Sequence, residues 1–135
     1  MKLEDAVKIA SAGMHAQGTR VQIASQNLAN SDSLATTPGG EPYQRRTVSF
    51  REALDRETGL RLVEIDRHGV DESGFEKRHD PTHPAADDAG YVKLPNVEPL
   101  VELMDMREAQ RTYEANLQAM SLTRTMVSQT LNLLK

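Results

Sequence analysis

The sequence predicts a mainly α fold, in which long N- and C-terminal helices pair as an antiparallel-type coiled coil and a short β-hairpin region lies between them. Three observations predict it. Both ends of the 135-residue chain carry apolar or small residues at alternating spacings of four and three, the mark of a coiled-coil seam. Both ends are nearly uncharged: Arg20 is the only formal charge from Ile9 to Ser31, and Arg124 the only one from Ala115 to Leu134. The stretch between them holds most of the charge and the turn residues, with alternating runs that suit strands. Residues 1–31 and 97–135 are therefore expected to form a helical domain, and residues 32–96 a small β-rich insert.

The first seam runs through Leu3, Val7, Ala10, Met14, Gln17, Val21, Ala24 and Leu28. Its mostly small residues at every second position let a partner helix approach closely. A second line, Ile9, Ala16 and Ile23, lies about 100° round the helix, with Ala6 and Gly13 between. That arc is wider than one partner helix covers, so neighbours are expected on it. The helix should end near Asn30, a residue type that tolerates the left-handed C-terminal conformation. Pro95 and Pro99 suit the start of the second helix, where a missing N–H does no harm. Its seam runs through Leu103, Met106, Gln110, Tyr113, Leu117, Met120, Arg124, Val127, Leu131 and Leu134. Gln110 and Arg124 are polar seam positions, of the kind that fix register or, alternatively, mark where the helix rotates to face a different neighbour. Asn27 and Asn116 sit beside their seams, placed either to bond across an interface or to cap locally and face solvent.

In the insert, Thr36 to Gly40 mark a turn, and Tyr43 to Phe50 and Gly59 to Ile65 alternate as strands do. His68 to Gly74 reads as a loop, Phe75 to His79 as a short strand, and Asp80 to Gly90 as an irregular turn. Tyr91 to Leu94 is placed to close the sheet, giving a hairpin or three-stranded insert.

Composition narrows the function. The length leaves no room for a second catalytic domain. A net charge of −4 argues against nucleic acid as a partner. Arg45, Arg46 and Arg51 are the densest basic group and read as a solvated strand face, with an anion site as the alternative. The absence of cysteine excludes disulfides and a thiol nucleophile. No apolar run of about 18 residues is present to span a bilayer, neither helix has the basic face that membrane-surface helices use, and the N-terminus lacks a secretory apolar region. A chain of this kind that leaves the cytoplasm needs a route that reads no cleaved signal.

Catalytic chemistry finds little support. His79, Asp80 and His83, followed by Asp87 and Asp88, are residue types that bind divalent metals. Pro81 and Pro84 make the segment a rigid turn in which Asp bonds nearby backbone. A structural turn of Asp80, Pro81, His83, Pro84 and Gly90 is therefore expected here, with no catalytic residue, cofactor or metal. Nucleophile elbows, phosphate-cradling glycine loops and dinucleotide fingerprints are missing.

Ser11 to Arg20, running on to Ala24 and then Asn27, Leu28, Ala29 and Asn30, resembles the leading helix of the bacterial flagellar axial proteins, the rod and hook family. Glu102 to Met106, then Ala109, Arg111, Tyr113, Ala115 and Asn116, resembles that family's trailing helix. The stretch Asp80 to Pro84, then Ala86, Asp87, Gly90, Tyr91, Val92, Pro95, Asn96 and Val97, is similar to the turn of its proximal-rod members. Glu98, where relatives often carry Asn, and the charged run Phe75, Glu76, Lys77 and Arg78 depart from the pattern. The resemblance implies a structural subunit of the basal-body rod that passes through the flagellar type III export apparatus without a cleaved signal. It would polymerise in the periplasm with copies of itself and other rod subunits into a helical drive shaft. A different rod subunit, or least of all a freestanding helical bundle with a metal at His79 and His83, is the alternative reading. Ends that need neighbours for burial are expected to fray in the monomer and fold on assembly, because ordering costs about 1 to 2 kcal/mol per residue.

Overall fold

The computed structural model describes residues 2–133. Helix α1 spans Leu3–Ala29 and helix α2 Pro99–Leu133, with strands β1 (Arg46–Leu54), β2 (Arg61–Val70), β3 (Lys77–His79) and β4 (Tyr91–Lys93) between them. The Asp5 carboxylate accepts the Lys2 amide at 2.7 Å and starts α1. Pro99 is the first residue of α2, the position where proline is tolerated best. At the far end of α1, Asn30 has φ −106° and is not left-handed. Its backbone amide and its side-chain amide both donate to the Gln26 carbonyl, at 3.1 and 2.8 Å, so the helix end is capped without a change of backbone hand.

The helices pack antiparallel along most of α1, with Asn27 beside Glu102, Arg20 beside Asp105 and Glu108, and Gly13 beside Asn116. The line on α1 has Ala10, Ala24 and Asn27 buried with Gly13, Gln17 and Arg20 half-buried between them; that on α2 has Glu102 and Ala109 buried with Met106, Tyr113, Asn116, Met120, Thr123 and Val127 half-buried. Both keep the heptad spacing, but alternate positions lie one residue earlier than the pattern of large apolar residues suggests. Gln110 and Arg124 are therefore exposed and off the seam, where they set no register. The cause is close approach. A Cβ added to Gly13 would sit 2.9 Å from the Asn116 side-chain amide, so the helices meet there through a glycine that costs about 1 kcal/mol in helix propensity relative to alanine. Gly13→Val should destabilise the protein by about 1 to 3 kcal/mol, and Asn116→Ala in the same chain should recover most of the loss. A double-mutant cycle in urea checks this, with additivity as the contrary result.

The insert forms two separate two-stranded antiparallel sheets, β1 with β2 and β3 with β4, so Tyr91 to Lys93 does not close a single sheet. The β1–β2 ladder runs from Arg46 opposite Val70 to Leu54 opposite Arg61, with a shift between Ser49 and Phe50 that leaves Asp66 bulged. His68, Gly69 and Val70, expected in a loop, are paired strand residues. The backbone of Arg46 is anchored by Asn27, as described below, and this carries the ladder down to Val70. At the tip, Asp55 accepts from the Glu57 amide at 3.0 Å and the Thr58 hydroxyl at 2.8 Å, while Gly59 supplies φ +71°.

Both strands of this hairpin also touch α1. Ile23 lines one cleft with Val48 and Phe50, and Lys8 reaches Asp55 at 3.6 Å. The second stripe of α1 was expected to face neighbours, yet Ile23 meets the chain's own hairpin. Ala16 is already buried within the single chain, while Ile9 stays exposed.

Candidate assembly interface

Three elements converge on a buried polar hub. Asn27 and Glu102 are 0% and 1% exposed, the two buried polar residues of the described chain. The Asn27 side-chain amide donates to the Arg46 carbonyl at 2.9 Å and to Glu102 Oε2 at 3.1 Å. Its Oδ1 accepts from the Arg46 amide at 2.9 Å and from the Tyr43 hydroxyl at 2.8 Å. One side chain thus ties α1 to α2 and to both backbone groups at the foot of β1. Arg45 closes the other side of Glu102, bonding Oε1 through Nε, and its outer nitrogens lie 3.6 Å from Asp105 and 4.0 Å from Asp71. Asn96, just ahead of α2, accepts the Arg45 amide at 2.8 Å and donates to the Asp71 carbonyl at 2.9 Å. Arg45 is therefore an internal clamp and no part of a solvated strand face. Arg46 and Arg51 are the exposed members of the basic group, Arg51 paired with Glu64 at 3.5 Å.

The hub responds to pH at both extremes. Burial is the main force raising the Tyr43 phenol above its ordinary 10.0; Arg46 opposes this and Glu102 adds to it. The neutral phenol is thus the form favoured by the fold, and its contribution is complete below pH 10.0 and lost as pH rises through the higher folded value. The Asp71 carboxyl sits below its ordinary 3.8, chiefly because the Ser73 amide donates to it. Its contribution is present above pH 3.8 and is lost as pH falls through the lower folded value. Urea midpoints of the wild-type chain and of Tyr43→Phe should converge in strong alkali and separate near neutrality. A constant separation would contradict the role given to the phenol.

The turn from Asp80 to Gly90 is held by its own polar atoms. Asp87 accepts from the Tyr91 amide at 2.9 Å and the Ala89 amide at 3.0 Å, and the Tyr91 bond is the main cause holding its carboxyl below the usual range. His83 Nδ1 accepts from the Ala85 amide at 3.0 Å, and Asp80 Oδ1 from the Thr82 hydroxyl at 2.9 Å. Gly90, at φ +81°, lies 3.0 Å from the Pro81 ring measured from an added Cβ. Pro81 and Pro84 stand on the exposed outside of this turn, Gly90 inside it. The Gly39 amide donates to the Ala85 carbonyl at 3.2 Å and joins the Thr36 to Gly40 turn to it. Among the described residues, no three His, Asp or Glu side chains gather closely enough to hold a metal ion.

The structure divides the predicted helix residues into three groups. Ala10, Ala24 and Asn27 are buried in the helix pair. Val7, Met14, Val21, Leu28, Asn30, Ile23, Met106, Tyr113, Asn116, Met120 and Val127 are half-buried, and Leu3, Ile9, Leu117 and Leu131 are exposed. Leu134 lies outside the described residues. Glu102 and Arg45 were not anticipated as a pair, because charge in an otherwise apolar pattern reads as surface.

Large apolar side chains are exposed unevenly. Along α1 only Leu3 and Ile9 stand out, whereas α2 exposes Leu100, Val101, Met104, Leu117, Leu122, Met126, Leu131 and Leu133. Leu122 and Met126 are 59% and 46% exposed, and Leu133 87%. With Ala115 and Ala119 they make a second heptad-like line, about 100° to 160° round α2 from Glu102. The hydroxyls of Thr123, Thr125 and Thr130 donate to carbonyls one turn back, at 2.8, 3.1 and 2.9 Å. This part of α2 is thus less polar than its composition implies.

Residues 88–133 match the family model described as the flagellar basal body rod FlgEFG protein C-terminal region. Over 98% of its length the chain is 48% identical to the flagellar basal-body rod protein FlgC of Agrobacterium fabrum, covering 96% of that relative. The chain belongs to the FlgC family. It is also 38% identical to the FlgC protein of Aquifex aeolicus, with 96% of each chain covered, and 35% identical to that of Salmonella typhimurium, with 98% of each covered. The likeness to FlgC proteins thus spans the insert as well as both helices.

Proposed function

We propose that the protein is a non-enzymatic structural subunit of the bacterial flagellar basal-body rod. It polymerises through its terminal helices, with copies of itself and other rod subunits, into the periplasmic drive shaft. The single observation that carries this reading is the uncovered line on α2. A helix with exposed Leu122, Met126 and Leu133 and a single charge, Arg124, from Ala115 to Leu133 is unsuited to a lone domain in water. Membership of the FlgC family supports the same reading. No helix of the described residues is long and apolar enough to cross a membrane, so the chain is not expected to insert directly into one. The subunit reaches the periplasm through the flagellar type III apparatus without a cleaved signal.

The helix pair is built to be completed by neighbours. If the pairing of Asn27 with Glu102 and of Gly13 with Asn116 continues, Leu3 falls opposite Met126, and the turns of α2 beyond it have no partner in the chain. Gln17 Oε1 is buried without a donor, at a cost of about 1 to 3 kcal/mol. The ends of a dilute monomer therefore exchange their amide hydrogens rapidly and become protected in the rod.

The test is deletion of the gene in its host, with complementation, followed by electron microscopy of basal bodies. Loss of rod and hook with the membrane ring retained is the expected result. Complete rods in the deletion strain would overturn it.

A further inference from the structure

We infer that the β1–β2 hairpin is a displaceable cover, and that the α1 face beneath it is a docking site for a second copy of this chain. The inference rests on the rod reading and goes beyond it by naming a surface the single chain conceals. The foot of the hairpin is bolted down: Asn27 bonds both backbone groups of Arg46, and Arg45 is clamped by Glu102. The outer part is held in a different way. Between foot and tip the ladder breaks at the Asp66 bulge, where strands bend most easily. No residue of either strand is fully buried.

At the tip, Lys8 with Asp55 is the one ion pair between hairpin and α1 among the described residues. Its side chains are 47% and 23% exposed, and pairs of that kind hold weakly. A two-stranded hairpin is also marginal when it stands alone, so the outer arm opens at low free energy.

The chemistry of the covered face chooses the occupant. Beyond Lys8, whose half-exposed ammonium lies at the outer edge of this face, α1 carries one charge, Arg20, and a charged partner would bury ions without counterparts. The last turns of α2, which have no α1 opposite them, carry exposed Leu131 and Leu133 and no charge among residues 125–134. The same segment from a second copy supplies an apolar helix to replace the arm. In the free subunit the arm shields α1 and disfavours association before the subunit reaches the growing end.

The absence of native cysteine gives a direct test. Lys8→Cys with Asp55→Cys, treated with a short bis-maleimide, should form an intrachain link in the free full-length protein. In basal bodies purified from complemented cells, that link should fall by about tenfold, equivalent to a preference of about 1.4 kcal/mol for the displaced arm. An intrachain yield equal to that of the free protein would overturn the inference and leave the rod reading intact. Absence of the protein from the basal bodies would overturn both. Lys8→Cys with Glu57→Cys repeats the measurement if the first pair does not fold.

Discussion

Replacing Asn27 by Ala should destabilise the folded chain by about 2 to 4 kcal/mol, a large share of what a domain of this size has to lose. The loss follows from geometry. One side chain serves the Tyr43 hydroxyl, both backbone groups of Arg46 and the Glu102 carboxylate, and it is completely buried. Removing it leaves those groups unpaired where water has little access, and each unsatisfied buried group costs more than an average hydrogen bond contributes. Because Tyr43 and Asn27 share a bond, adding Tyr43→Phe should cost less in the Asn27→Ala background than in the wild-type chain. Urea denaturation followed by helical circular dichroism measures both. A loss below about 1 kcal/mol would mean that the hub does not join the insert to the helices.

Leu122→Glu with Met126→Glu should have the opposite profile, with little effect on the monomer and a severe one on assembly. Both side chains are about half exposed on the side of α2 away from α1, so in the free chain the change stays within about 0.5 kcal/mol per site. Once a neighbour covers that line, two carboxylates are buried without partners, a cost of several kcal/mol that helix packing does not offset. Cells carrying the double variant should produce and export the protein yet fail to swim. Conservative Leu122→Met should swim normally. Swimming by the double variant would remove this face from the interface.

Much of the architecture was legible because it depends on periodicity. Two charge-poor stretches with heptad spacing announced two paired helices, and Pro99 marked the start of the second. Seam positions were legible only in part. Pattern reading favours the larger apolar residues, such as Val21, Leu28 and Leu117, whereas the packed seam selected Gly13, Ala109, the mutually bonded Asn27 and Glu102, and Asn116, whose amide bonds the Thr112 carbonyl one turn back. The extension of β2 to Val70 was hidden for a related reason. His68 and Gly69 have weak strand propensity, and their pairing is imposed from a distance by an α1 side chain that anchors Arg46. The hub itself was half visible. The placing of Asn27 beside its seam suggested a bond across an interface, and that bond is made within the chain, to α2 and the insert. The charges of Arg45 and Glu102 gave no sign that they would meet.

The central claim is that the uncovered side of α2 is where subunits join. Electron microscopy of basal bodies from cells that make Leu122→Glu with Met126→Glu, beside the deletion strain and the wild type, tests it most directly. Basal bodies without rod, in cells where the exported variant retains the wild-type unfolding midpoint, are the predicted result. Complete rods containing the variant would contradict it.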